Sequence, residues 1–408
     1  MTDETLALLG GKPLVTKQFP PYNTIDEHEK RAVLEVLDTG VLSDFYGSPG
    51  ERFLGGPRVK ALEKAWCDYF HVPYAVTMNS ATSALIAAVA ACGIGAGDEV
   101  IVSPLTMSAT GTAVLLNQAT PVFADVDPLT MNISAASVAE KITPRTKAIF
   151  VVHLGGYPSD MDPILEIAKQ HKLFVLGDNA QSPGALYKGR FAGCDEDIGV
   201  FSLNCHKTIQ CGEGGVAVTK NPELALKLQL LRNHGEKCTV GMGHSDWHIL
   251  GQNYRMTEME AAVAIEQLKK LAGLNTKRQD LAKYLTSKIT QRFDFLMPPH
   301  VAPDCTHVYY IYLLKYDAAK AGIPIDLFCQ ALKAEGIPSV PHWALPIYKL
   351  SIYKNQVSPC REAEIWEESS LCLDVLVRPP QSHADMDLIV QAIAKVVAQK
   401  NELLAHAK

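Results

Sequence analysis

The 408-residue sequence has no basic tract, no low-complexity segment, no internal repeat and no Cys-x-x-Cys pair. Each absence removes a class of function. With a formal net charge of -6 and a pI near 6.1, nothing in the chain points to nucleic acid. No apolar run is long enough to span a bilayer. The opening stretch, Met1-Thr-Asp-Glu-Thr-Leu-Ala-Leu-Leu-Gly10, lacks the basic start and long apolar core of a secretion signal. The expectation is a cytoplasmic protein with neither membrane nor nucleic acid as partner. Ten cysteines are scattered, most of them in apolar surroundings, as in a protein that keeps its thiols reduced. Cys205-His206 and Cys211 lie close together but lack the paired spacing of a metal site, so no metal is expected. Both thiols are expected to be buried.

What is present is a large supply of core. Hydrophobic residues make up 47% and charged residues 20%, and the length suggests two domains. Residues 1–22 hold Gly10-Gly11, Pro13, Pro20 and Pro21 and read as an irregular arm. A helix is expected from Ile25 to Asp38, opened by Asn23-Thr24. Residues 40–57, rich in Gly, Ser and Pro, read as a long loop, and such loops often serve function. Helices are expected at Arg58–Phe70, Ala81–Cys92 and Met161–Gln170. Strands are expected at Tyr74–Met78, Glu99–Ser103, Pro121–Asp125, Ala148–His153, Leu173–Asp178, Ile198–Leu203 and Gly215–Thr219. Continuous apolar runs such as Ala148-Ile-Phe-Val-Val mean strands covered on both faces. The alternation argues for an α/β fold with a mostly parallel seven-stranded sheet flanked by helices. Beyond Asn221 the pattern turns more helical, with helices at Leu224–Leu231, Glu258–Ile289, Ile325–Glu335 and Asp385–Ala405. Short strands are expected near Tyr309–Lys315 and Ser339–His342. This gives an arm at 1–22, a large domain at 23–265 and a smaller C-terminal α/β domain at 266–408.

Four features of the large domain belong together. Lys207 follows the apolar strand Ile198–Leu203 and precedes the glycine cluster Gly212-Glu-Gly-Gly215. A lysine at the mouth of a buried strand, where glycines let backbone and ligand approach, is placed to form a Schiff base with a carbonyl. Asp178 ends the strand Leu173–Asp178, at the edge where α/β sheets hold ligands. Asn79-Ser-Ala-Thr-Ser83 opens an alanine-rich helix, and free amide groups at a helix N-terminus bind anions. Gly251-Gln-Asn253-Tyr-Arg255-Met-Thr257-Glu258 opens a long helix, with Thr257 as its cap. Each feature alone has a bland reading as a surface lysine or a helix cap. In combination they fit pyridoxal phosphate: an amine for its aldehyde, a carboxylate for its pyridinium nitrogen, and a helix end with Ser202 for its phosphate.

At this point the chain resembles a known family. Asn79-Ser-Ala-Thr-Ser-Ala-Leu85, Gly93-Ile-Gly-Ala-Gly-Asp-Glu-Val-Ile-Val102, Pro121-Val-Phe-Ala-Asp-Val-Asp-Pro128 and Gly177-Asp-Asn-Ala-Gln-Ser-Pro-Gly-Ala185 are similar to motifs of the DegT/StrS group. So are Phe201-Ser-Leu-Asn-Cys-His-Lys207, Gly212-Glu-Gly-Gly215, Leu231-Arg-Asn-His-Gly235 and Asn253-Tyr-Arg-Met256. These are pyridoxal phosphate-dependent sugar aminotransferases with the aspartate aminotransferase-like fold (fold type I). The resemblance implies that Lys207 is the Schiff-base lysine, Asp178 the pyridinium partner and Gln181 the residue near the ring hydroxyl. It makes Ala81, Thr82 and Ser202 the phosphate cradle. Asn253 matches an asparagine that reaches the cofactor of the other subunit, which implies a homodimer with shared active sites. Met107 stands where many members stack an aromatic ring on the cofactor.

The implied reaction moves an amino group from glutamate or glutamine to a keto-sugar, nucleotide-linked, for a cell-surface polysaccharide or a secondary metabolite. A keto-inositol acceptor and a different fold-type-I reaction are the alternatives. Dehydratases of the family carry histidine in place of the lysine; here the lysine is present and His206 merely precedes it. Segment 40–57, His307 and His342 are candidates to line the acceptor pocket. Arg255 is a candidate for holding a carboxylate or phosphate, or for bracing the dimer.

Overall fold

The seven runs read as strands form one sheet. They are β1 (Tyr74–Met78), β2 (Glu99–Val102), β3 (Thr120–Phe123), β4 (Thr146–Val152), β5 (Phe174–Asp178), β6 (Ile198–Ser202) and β7 (Gly215–Thr219). The computed structural model describes residues 5–47, 50–235, 249–353, 359–373 and 376–406. Sheet order is β1-β7-β6-β5-β4-β2-β3. Strands β2 to β6 pair in parallel, and β7 runs antiparallel to both β6 and β1. The C-terminal ends of β1, β5 and β6 and the start of β7 therefore share one edge of the sheet.

Strand alternation sends successive side chains to opposite faces. Val76, Val100, Phe150, Leu176 and Val200 join one core with the helix Ala81–Ala91. That helix is lined by Ala84, Ala87, Ala88 and Ala91, all fully buried, so it settles close against the strands. Phe201, Val216 and Val218 face the other way, onto the helix Pro57–Phe70. There the Phe201 ring lies 5.5 Å from Trp66 and 4.8 Å from Phe70. Full burial of side chains of this size contributes about 1.5–3 kcal/mol each.

A second, four-stranded antiparallel sheet contains β8 (Leu296–Met297), β9 (Leu313–Tyr316), β10 (Val340–Pro341) and β11 (Ser370–Cys372). It packs with the helices Ile325–Ala334 and His383–Ala398. The helix expected to reach residue 405 divides at Gln399, and Lys400–His406 continues as a separate helix. One helix, Glu258–Arg292, serves both cores. Ala261, Ala264, Leu268 and Leu271 pack on the large sheet; Leu281, Leu285 and Ile289 pack on the small one. The expected boundary near residue 265 falls inside this unbroken helix.

Several local expectations shift. The helix expected from Ile25 runs Glu27–Thr39 and is capped by Asp26 with Glu29 in a capping box, not by Asn23-Thr24. The N-terminal segment is less irregular than expected. Leu6 is fully buried in the second core, and the Glu335 carboxylate accepts the N–H groups of Ala7 and Leu14. The Gly-rich loop holds a short helix, Glu51–Leu54, and its residues 48–49 lie outside the described residues. Cys205 is exposed, contrary to expectation, because it sits on the turn between β6 and β7 and not in a strand. Cys211 is half-buried, and Cys238 lies outside the described residues.

Candidate active site

The segment after β6 leaves the sheet, turns at Lys207 and returns as β7. Its turn is fastened to itself: Leu203 N–H donates to Gly214, Cys205 N–H to Gly212 and Cys211 N–H to Leu203. Lys207 is held at the tip by its own N–H, which donates to the Asn204 carbonyl at 2.9 Å. Its side chain enters a cleft of about 440 Å³ that also meets Thr106, Met107, Gln181, Tyr310 and Trp343. The Nζ atom lies 4.6 Å from the centre of the Tyr310 ring.

Asp178 closes β5 and is 6% exposed. Its Oδ2 accepts the Thr110 hydroxyl at 2.7 Å, and its Oδ1 accepts the Ala180 N–H at 3.1 Å. Thr110 is bonded in turn to Thr106, which lines the cleft. An ionised carboxylate has about four acceptor positions, so these two donors leave room for a third. Gln181, three residues on, accepts the Gly155 N–H at 2.7 Å and so faces the same cleft from a fixed position.

The other end of the site is built from β1, β6 and β7. Ser80 caps the helix Ala81–Ala91 by accepting the Ser83 N–H. The N–H groups of Ala81 and Thr82 then remain at the open helix end. Gly215, in register with Met78 on one side and Ser202 on the other, lies flush against this end. A methyl group there meets Ala81 N at 2.5 Å and the Ser80 carbonyl carbon at 2.6 Å. The buried Ser202 hydroxyl stands beside it. Two amide donors, one hydroxyl and a glycine that permits close approach suit a phosphate. With Lys207 in the cleft and Asp178 at the end of the strand paired with β6, these residues fit pyridoxal phosphate. Gly215→Ala is expected to weaken pyridoxal phosphate binding and to lower stability by about 1–3 kcal/mol. Fluorescence titration of the cofactor-free protein and urea unfolding check the two effects.

The remaining candidates are more dispersed. Asn253 pairs with Asn233 as an isolated bridge, its carbonyl accepts from Asn79, and its side chain is exposed. Arg255 donates to Asn233 Oδ1 at 3.1 Å. His342 is exposed in a left-handed turn (φ 53°), with ring contacts to the Glu367 carbonyl and Asp326. It does not line the cleft, although its neighbour Trp343 does. His307 also lies off the cleft, 6% exposed and stacked on Tyr309 at 4.0 Å. Among the described residues no cluster of His, Cys, Asp or Glu is arranged to hold a metal, and no helix is long and apolar enough to cross a membrane.

His307 makes a separate prediction. Its Nδ1 accepts the Tyr309 N–H at 2.9 Å. Burial pushes its pKa from the ordinary 6.5 down to about 3. The unfolded chain therefore binds a proton between these values that the folded chain does not. The neutral ring's contribution is intact above pH 6.5 and is lost as pH falls towards 3. Inside that window, unfolding free energy is expected to drop by roughly 1.4 kcal/mol per pH unit more than in His307→Asn. Parallel pH profiles of the two proteins in urea unfolding contradict this.

Two residues of the site were not visible in the sequence. Thr110 is identifiable only by its spacing, four residues after Thr106 on the helix Ser108–Leu116. Ser108 and Thr112 on that helix carry hydroxyls too, so nothing in the sequence singles out Thr110. Tyr310 sits in a run of aromatic and apolar residues and reads as strand core.

Comparison with known proteins identifies the family. The model of the DegT/DnrJ/EryC1/StrS aminotransferase family matches residues 24–394. The chain is 35% identical to the spore coat polysaccharide biosynthesis protein SpsC of Bacillus subtilis over 393 residues, covering 93% of this chain and 97% of that protein. It is also 35% identical to the GDP-perosamine synthase of Caulobacter vibrioides over 375 residues, with 91% and 96% covered. The X-ray structure of an aminotransferase from Psychrobacter cryohalolentis superposes with a TM-score of 0.85 at 30% identity, covering 94% of this chain and 99% of that one. This chain belongs to the DegT/DnrJ/EryC1/StrS aminotransferase family, whose enzymes work with pyridoxal phosphate.

Proposed function

We propose that the protein transfers the amino group of glutamate or glutamine to a nucleotide-linked keto-sugar in amino-sugar biosynthesis. The observation that carries this reading is the meeting, on one edge of the large sheet, of the Lys207 cleft, the Asp178 carboxylate and the helix end at Ala81. GDP-perosamine synthase, by its name, makes a nucleotide-linked amino sugar, and SpsC serves a polysaccharide; the acceptor class rests on that kinship.

When bound, pyridoxal phosphate supplies an aldehyde for amines and a ring that draws off the electron pair of the reacting carbon. Lys207 holds the cofactor until the donor arrives. Its freed Nζ would then take a proton from the donor α-carbon and return it to the carbon on the far side of the transferring nitrogen, as base and then acid. With the keto-sugar the same amine works in the opposite direction. Asp178 keeps a proton on the pyridine nitrogen, and Thr110 and Ala180 fix its orientation. Gln181 would meet the ring hydroxyl. Ala81, Thr82 and Ser202 hold the phosphate, and Asn253 of a second copy completes it in a homodimer. Met107, 67% exposed at the rim of the cleft, offers the ring a polarizable thioether in place of an aromatic face.

Purified protein should be yellow and lose its colour when glutamate is added. A panel of nucleotide-linked keto-sugars should restore the colour, and the sugar product should carry the new amine by mass. Colour that persists with both glutamate and glutamine rejects these donors; bleaching without any response to keto-sugars rejects the acceptor.

A further inference from the structure

Lys207 needs a place for its charge whenever it is not joined to the cofactor. Among the described residues its Nζ meets the face of Tyr310, 4.6 Å from the ring centre, and forms no ion pair with a carboxylate. An ammonium over an aromatic face is held by the ring's electron density, and more strongly where water is partly excluded. Tyr310 is half-buried and lines the cleft.

The ring is held there by its backbone. Tyr309 takes a left-handed conformation, φ 50°, which is uncommon for a bulky residue. Its ring stacks on His307, while the next residue presents its ring to the cleft. Arg278, fully buried on the long helix, donates from Nη1 to the carbonyls of Tyr309 at 3.1 Å and Tyr310 at 3.5 Å. Ile311 N–H donates to Gly155, whose own N–H goes to Gln181. Two separate anchors, one from the helix and one from the Gln181 side of the site, thus fix a single aromatic face.

We propose that Tyr310 is a positioning residue: its ring is the docking face for the Lys207 ammonium while that amine is off the cofactor. This inference rests on Lys207 being the residue that carries pyridoxal phosphate. A carboxylate in the same place would bind the ammonium more tightly and resist its loss of a proton. A neutral ring holds the amine within reach and releases it readily.

The test uses protein reconstituted with pyridoxamine phosphate, so that Lys207 is free. Acetylation of Lys207 by an N-hydroxysuccinimide ester is followed by peptide mass spectrometry and normalised to the other lysines. Because only the neutral amine reacts, removing the ring is expected to speed labelling. Tyr310→Leu should label about two- to thirty-fold faster than wild type, the span that a cation–π contact allows. Tyr310→Phe, which keeps the ring, should stay within about two-fold of wild type. Equal rates in all three proteins overturn the proposal, as does Tyr310→Phe labelling as fast as Tyr310→Leu. Borohydride reduction of the pyridoxal phosphate-loaded wild type separates this failure from failure of the underlying reading. A pyridoxyl mass on Lys207 upholds the reading whatever the labelling rates; the same mass on another lysine removes both.

Discussion

Lys207→Ala is expected to fold normally, to take no yellow colour from pyridoxal phosphate and to turn over at less than about one ten-thousandth of the wild-type rate. Removing a positioned acid–base group alone typically costs about 10²–10⁴-fold, and here the same amine also anchors the cofactor. The fold should tolerate the change. Lys207 is only half-buried, and what its turn requires of it is the backbone N–H to Asn204, which alanine retains. Compared as cofactor-free proteins, stability should therefore fall by no more than about 2 kcal/mol, the most that loss of the Tyr310 contact allows. Urea unfolding, the visible spectrum and a glutamate half-reaction measure the three quantities. A variant that still binds the cofactor with an unchanged visible band shows that another amine carries it.

Asp178→Asn should leave a protein that binds pyridoxal phosphate yet reacts about 10²–10³-fold more slowly, the usual range for losing one fixed electrostatic contact in an active site. Asparagine has nearly the same shape, and its carbonyl oxygen can still accept the Thr110 hydroxyl. What it lacks is the negative charge that keeps a proton on the ring nitrogen. Asp178 is buried, so little water is at hand to replace that charge. The comparison with Thr110→Val is informative. Thr110 touches the carboxylate at Oδ2 and leaves its charge intact, so its loss should cost less than the loss of the charge. Steady-state rates with glutamate, alongside cofactor affinity, check both variants. An Asp178→Asn enzyme with wild-type turnover removes the carboxylate from the mechanism.

Much of this site was legible in the chain because its parts are local. Lys207, Asp178 and the Ser80 cap each lie within a few residues of a strand end. An apolar run followed by a glycine or a cap marks such an end without reference to the rest of the fold. Thr257 was legible for the same reason: its capping box with Glu260 spans three residues. Glu258, next to it, shows the limit. Its carboxylate accepts the N–H groups of Arg58 and Val59, capping the distant helix Pro57–Phe70, whose N-cap residue Gly56 has no side chain to do so. The sequence around Glu258 gives no sign of this, because a carboxylate at a helix start reads as serving its own helix.

The histidines illustrate the converse. Read from the chain, His307 and His342 suit a place in the acceptor pocket and a hydrogen-bonded structural role equally well. In the fold His307 is stacked on Tyr309 inside the protein, and the His342 ring meets the Glu367 carbonyl and Asp326. Likewise the direction of β7 was not readable: a buried strand has the same apolar run whether its neighbours are parallel or antiparallel.

By itself the sequence determined the seven strands of the large sheet, the capped start of the long helix at Thr257 and the residues with chemistry at the strand ends. Those depend on periodicity and on contacts a few residues long. Only the tertiary structure decided that Thr110 holds Asp178, that Gly215 makes room at the Ala81 helix end, and that Tyr310, braced by Arg278, meets Lys207. These contacts join residues tens to more than a hundred positions apart, and no local pattern encodes which distant surface a side chain will meet once the sheet has closed.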